Sequence, residues 1–123
     1  MASRDPNFTV IVVAYNSGHL LADCMSAVTA QTFEDFEILL VDNASNDGAV
    51  EALGPLDPRV RVLRPGRNLG FAAGNNLAAR EAKGKWLALL NPDAIAGPDW
   101  LAKIDDAVRR YPGFAMFGST QLR

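Results

Sequence analysis

Asp93 lies two residues after Asn91, with Pro92 between them, directly behind the apolar run Trp86-Leu-Ala-Leu-Leu90. A hard divalent cation takes oxygen ligands. A Mg²⁺-type site needs only one or two carboxylates when waters and phosphate oxygens complete the shell. Asp93 has the chemistry for that contact, and Pro92 stiffens the turn so that Asn91 and Asp93 can face one ligand. An ordinary Asn-Pro-Asp turn has the same composition. Spacing alone leaves both readings open.

Asp42 is the second such residue. It follows Phe36-Glu-Ile-Leu-Leu-Val41 and precedes Asn43. A carboxylate there can accept hydrogen bonds from a nucleobase or a ribose, or it can cap the next turn, as Asp and Asn often do. The third group is Tyr15 and Asn16, just past Ala14. The fourth is Asn68-Leu-Gly-Phe-Ala-Ala-Gly-Asn-Asn76, two glycines and three asparagines at a loop-to-helix junction. Glycine lets backbone approach a ligand closely, and helix N-termini favour anions. The spacing of Gly70 and Gly74 does not fit the dinucleotide fingerprint, and no Gly-Lys-Ser/Thr occurs, so a P-loop is excluded.

The elements that must position these groups follow from hydrophobic patterning. Phe8–Ala14 is β-branched and almost wholly apolar, as expected of a central strand of a parallel sheet covered on both faces. Ser17 is a candidate cap for a helix from His19 to about Ala30, whose apolar stripe is Leu20, Leu21, Cys24, Met25 and Val28. Phe36–Val41 reads as a second buried strand, Ala49–Leu53 as a short helix, and Val60–Leu63 as a third strand at or near an edge. A helix then runs from the Asn68–Asn76 segment to about Ala82, with Gly84 as its stop. Trp86–Leu90 reads as a fourth buried strand. Pro98 marks the start of a helix with the stripe Trp100, Leu101, Ile104 and Val108. Pro112-Gly113 ends it, and Phe114–Phe117 looks like a fifth strand.

Strictly alternating strands and helices predict an α/β fold, a three-layer α/β/α sandwich with a mainly parallel sheet. In such sheets ligands bind beyond the carboxyl ends of the strands, and the polar groups named above all fall there.

The remaining chemistry-bearing residues have plainer explanations. Cys24 stands alone on an apolar helix stripe and reads as a core thiol. His19 has no second metal-ligating partner. Arg59, Arg61, Arg64 and Arg67 cluster around one strand and read as a solvated edge rather than a phosphate clamp. Trp86 and Trp100 occupy packing positions. The 123 residues carry a formal net charge of −2 with acids and bases interspersed, so no basic surface for nucleic acid is expected. No apolar run reaches the roughly 20 residues that span a bilayer. The start of the chain does not read as a signal peptide, and a reducing, cytoplasmic setting fits.

Taken in order, Val10-Ile-Val-Val-Ala-Tyr-Asn16, Gln31-Thr-Phe33, Val41-Asp-Asn-Ala-Ser45, Arg67-Asn-Leu-Gly-Phe-Ala-Ala-Gly-Asn-Asn76 and Leu90-Asn-Pro-Asp93 resemble the inverting family-2 glycosyltransferases of the GT-A fold. The likeness is to the bacterial rhamnosyltransferase-like branch and runs from about Phe8 onward. It implies that residues 1–7 are a tail and 8–123 the nucleotide-sugar-binding half of a truncated GT-A domain, its acceptor half lying beyond Arg123. It also implies that Ala14, Tyr15, Asn16, Asp42, Asn43, Asn68, Gly74, Asn75 and Asn91 line the nucleotide. Asp93 would hold Mg²⁺ or Mn²⁺ at the Asp-x-Asp position, whose first Asp is here Asn91.

The implied activity is hexosyl transfer from a UDP- or dTDP-sugar to a hydroxyl of a glycan or lipid-linked acceptor, in polysaccharide or cell-wall synthesis, in the cytoplasm or at the inner membrane face. No catalytic base is expected within the chain, which on its own should bind donor poorly and transfer little sugar. The competing reading is a non-catalytic nucleotide-binding or self-associating α/β module, with a homodimer formed through an exposed sheet edge.

Overall fold

A computed structural model of the protein describes residues 5–111. Four strands form one wholly parallel sheet in the order β3-β2-β1-β4: β1 (Phe8–Ala14), β2 (Phe36–Asp42), β3 (Val60–Leu63) and β4 (Trp86–Leu90). Helix α1 (Leu20–Thr29) joins β1 to β2, α2 (Phe71–Glu81) joins β3 to β4, and α3 (Trp100–Arg110) follows β4. The expected fifth strand at 114–117, and the Pro112-Gly113 stop, lie outside the described residues.

The alternation of side chains along a strand divides the core in two. On one face Phe8, Val10, Val12 and Ala14 join Phe36, Ile38 and Leu40 beneath Leu21, Cys24, Met25 and Val28 of α1 and Trp100 and Leu101 of α3. On the other, Ile11, Val13, Leu39 and Val41 pack against Ala78 of α2, with Leu63, Leu77 and Ala82 around them. The three-layer arrangement is therefore as expected. β1 and β2 are buried at almost every position, because both faces are covered.

Several local expectations need correction. Ser17 does not cap α1: the helix starts from His19 without a side-chain cap, because Gly18, at φ 62°, turns the chain between Ser17 and the first helical turn. The segment after β2 forms only a 3₁₀ turn, Glu51–Leu53. β4 is not buried on both faces. Leu87 and Leu89 are about half exposed, at 48% and 53%, because among the described residues β4 is an edge strand and α2 packs over β1 and β2 instead. Gly84 is not the helix stop, since α2 already ends at Glu81 with Ala82 as its extended C-cap; Gly84 lies in close contact with β1. Pro6 and Asn7, expected as tail, are tied in: the Lys85 and Trp86 amides donate to their carbonyls, and Asn7 N–H donates to Asp35 O.

Candidate functional site

Parallel strands in register place their carboxyl ends on one rim. Ala14 is level with Asp42, and Leu90 is level with Val12. The residues following β1, β2 and β4 therefore emerge side by side: Tyr15 and Asn16, Asp42 and Asn43, Asn91 and Asp93. The chain moves outward from β1 through β2 to β3, then crosses to β4 on the other side of β1. That reversal makes the β1/β4 junction the topological switch point, where open α/β sheets leave a crevice.

Much of this rim is held by its own hydrogen bonds. Asn16, in the left-handed region at φ 48°, receives the Asn46 amide on its Oδ1 at 2.8 Å, and its own amide donates to Ser45 Oγ at 3.0 Å. Asp47 accepts the amides of Ala49 and Gly18 at 3.0 and 2.9 Å. These two bonds hold the Asp47 carboxyl below its ordinary value of 3.8. The loops after β1 and β2 thus form one unit, leaving the Tyr15 ring 52% exposed above it.

Asp42 is buried at the end of β2. Its Oδ1 accepts the Ser45 amide and its Oδ2 accepts Arg64 Nη1, both at 3.0 Å. It caps the following turn, and the capping bond leaves further lone pairs on both oxygens. Asn43 is also buried. Its Nδ2 donates to Gly70 O at 3.1 Å and its Oδ1 accepts the Leu69 amide at 3.3 Å, so its amide clamps the loop before α2. Asn43 N–H itself donates to Ala14 O at 2.9 Å.

Gly74 sits where a Cβ would come within 2.9 Å of Val13 Cγ1 and 3.2 Å of Asn43 Nδ2, so its lack of a side chain sets how closely α2 lies on the sheet. Asn68 Oδ1 accepts the Gly70 amide, and Asn75 Nδ2 donates to Phe71 O within its own helix. Ala14, Asn43, Asn68, Gly74 and Asn75 thus build the rim, while the side chains of Tyr15 and Asn91 stand exposed at it.

Behind the β4 turn, the buried Cys24 thiol donates to Asn91 O at 3.4 Å. Burial, and secondarily the nearby Asp93 carboxylate, push that thiol up to about 12. Cys24 is a core residue, as expected, but it also supports the Asn91–Asp93 turn. Gln31 supports it from the far side. Its Nε2 donates to Gly97 O at 2.7 Å and its Oε1 accepts the Leu101 amide at 3.0 Å, fixing the segment between Asp93 and α3.

Among the described residues no group of three or more His, Cys, Asp or Glu could hold a metal ion. The donor set at the rim is one half-buried carboxylate, Asp93, with the exposed amide of Asn91. Such hard oxygen ligands fit Mg²⁺ or Mn²⁺ as a partial shell that phosphate oxygens and water complete.

Sequence reasoning gave no structural role to Ser45, Asp47 or Gln31, and it read Arg64 as a solvated edge residue, whereas Arg64 pairs with Asp42 and Glu51. Arg64 had a usable signal, being the first residue past a parallel strand and so at the same rim. Arg59 and Arg61 do serve the edge: Arg59 stacks 4.2 Å above the Phe36 ring and pairs with Asp57, and Arg61 donates to Glu81 O. A concavity of about 440 Å³, between Asn7, Phe33, Lys85 and Asp105, lies at the opposite, amino ends of the strands.

The profile of glycosyl transferase family 2 matches residues 9–119. The chain belongs to that family. An uncharacterized glycosyltransferase of Haemophilus influenzae is 31% identical over 117 residues, 93% of this chain and 36% of the relative. An N-acetylglucosaminyl-diphospho-decaprenol L-rhamnosyltransferase of Mycobacterium tuberculosis is 29% identical over 89% of this chain and 39% of its own length. Among solved structures, the mannosyltransferase PcManGT of Pyrobaculum calidifontis, in complex with GDP-Man and Mn²⁺, superposes with a TM-score of 0.77 at 26% identity, covering 86% of this chain and 33% of that one.

The family-2 chain spans about a third of the length of the curated relatives it matches. Its α/β sheet matches the GT-A glycosyltransferase fold. No helix among the described residues is long and apolar enough to cross a membrane.

Proposed function

We propose that this family-2 domain binds the nucleoside-diphosphate-sugar donor of an inverting, rhamnosyltransferase-like enzyme. The observation that carries the reading is the shared register of β1, β2 and β4, which delivers Tyr15, Asp42 and Asp93 to one rim. Tyr15 offers its exposed ring to the nucleobase and Asp42 accepts a hydrogen bond from the nucleoside. Asn16, Asn43, Asn68, Gly74 and Asn75 hold the walls, and Asn91 faces the ribose or sugar. Asp93, with phosphate oxygens, would hold Mg²⁺ or Mn²⁺. When bound, that ion supplies positive charge against the leaving diphosphate. The mycobacterial relative supports the rhamnosyl branch, and the GDP-Man complex supports a nucleotide-sugar ligand. UDP and dTDP are the nucleotides we favour.

The reaction is a single displacement. The acceptor hydroxyl oxygen bonds to the anomeric carbon as the bond to the diphosphate oxygen breaks, and a carboxylate base takes the hydroxyl proton. The three acids that follow Asp93 in the described chain are poorly placed for that base. Asp105 is held by Asn7 and Arg109 near the opposite, amino ends of the strands, Asp106 pairs with Arg110, and Asp99 accepts from Thr32. We therefore place the base beyond these residues and expect the isolated chain to bind donor weakly, without appreciable transfer.

Calorimetric titration with UDP, dTDP and GDP, with and without Mn²⁺, tests this reading. Metal-dependent binding is expected, and Asp93→Ala should abolish the metal dependence. Metal-dependent binding unchanged by that substitution would overturn the assignment of Asp93.

A second reading, self-association through the edge strand β4, draws on the exposed Leu87 and Leu89 side chains. Light scattering after size exclusion should then give twice the monomer mass, reduced to the monomer by Leu89→Lys. A monomeric parent chain removes this reading.

A further inference from the structure

We propose that Arg64 is a positioning residue that fixes Asp42 for the nucleoside end of the donor; this rests on the donor-site reading above. Asp42 is 4% exposed, and a carboxylate so buried needs both a counter-charge and donors for its oxygens. Two different elements provide them. The Ser45 amide, from the turn after β2, holds Oδ1, and Arg64, the residue following β3, holds Oδ2 at 3.0 Å. Two tethers on the two oxygens remove both torsional freedoms of the side chain. Each oxygen keeps a lone pair for a ligand donor.

The guanidinium is itself held in place. Arg64 Nη2 pairs with Glu51 Oε2 at 3.2 Å, so one planar fork bridges the 3₁₀ turn and the end of β2. Arg64 is half exposed and spends its charge on two acids rather than on a surface ligand. Its action is therefore expected at the nucleoside end, through Asp42. The diphosphate end belongs to Asp93, two strands away across the sheet.

The test separates these ends by comparing two probes on the folded chain, UDP and inorganic pyrophosphate, each with Mn²⁺. Arg64→Met should weaken UDP binding about tenfold, as loss of a charged hydrogen bond does, and leave pyrophosphate binding unchanged. Arg64→Lys, which keeps the charge but not the fork, should recover part of the loss. Unchanged UDP affinity in Arg64→Met, or equal losses for both probes, overturns the proposal.

If Arg64→Met fails to fold by circular dichroism, Arg64→Lys decides. A selective loss of UDP affinity supports the proposal, and behaviour identical to the parent overturns it. If the parent chain binds UDP no better than pyrophosphate, the donor-site reading itself falls. If Asp42→Asn removes the preference for UDP while Arg64→Met retains it, only the role of Arg64 falls.

Discussion

Gly84 is pressed against Thr9. Its amide donates to Thr9 Oγ1 at 2.9 Å, and a Cβ built on Gly84 would stand 2.4 Å from the Thr9 nitrogen and 2.5 Å from the Phe8 carbonyl carbon. The clash is with backbone of the central strand, which cannot rotate away. Gly84→Ala should cost about 2–4 kcal/mol, at or beyond the upper end of overpacking penalties. Urea unfolding of the variant against the parent measures it, and a change within 0.5 kcal/mol, roughly the scatter of a neutral surface substitution, would contradict the close approach.

Asn43→Ala removes both halves of a buried clamp. The Leu69 amide and the Gly70 carbonyl lose their partner, and the buried Asn43 position is left with a cavity. A loss of about 1–3 kcal/mol is expected. Hydrogen exchange should accelerate at Leu69 more than at the strand amides of β1. Uniform acceleration across the molecule would mean that the clamp is not local.

Cys24 should resist modification. With its thiol pushed up to about 12 from 9.0, chiefly by burial, the folded protein holds almost no thiolate at pH 8–9. Iodoacetamide should label it only at the rate of unfolding. The raised value also sets a pH dependence. The folded form favours the neutral thiol, so this contribution to stability is fully present below pH 9. It is lost as pH rises from 9 through 12, while the unfolded thiol ionises first. Labelling at the rate of a free thiol at pH 8 would rule this out.

Asp47 titrates in the other direction. The amides of Ala49 and Gly18 stabilise its charged form and lower its value below 3.8. Its contribution to the joined loops is present above pH 3.8 and declines as pH falls through the lower, folded-state value. A carboxyl-detected NMR titration should give Asp47 a midpoint below 3.8. Asp47→Ala should loosen Gly18 and Ala49 without unfolding the sheet.

How far the sequence could be read depended on the kind of force involved. β1 and β2 are bounded by their apolar runs, so Phe8–Ala14 and the start of β2 at Phe36 were legible from hydrophobicity alone. The gathering of Tyr15, Asp42 and Asn91 at one rim was legible too, because strand ends in a parallel sheet share one side. Contacts between distant segments left no local trace. Nothing around Gly84 announces Thr9, and nothing around Arg64 announces Asp42, 22 positions earlier. β4 misled for a related reason: Leu87 and Leu89 look like core, but whether α2 covers them is decided by strand order rather than by composition.

The unequal reach of the strands shapes what the rim can accommodate. β1 and β2 run on together to Ala14 and Asp42, whereas the pairing of β4 stops opposite Val12. Two residues of strand amount to about 7 Å, so the floor drops like a stair between the tyrosine side and the Asn-Pro-Asp side. A rigid flat molecule would bridge that drop and touch only its upper tread. A jointed one, planar at one end with a flexible charged middle, would follow both levels.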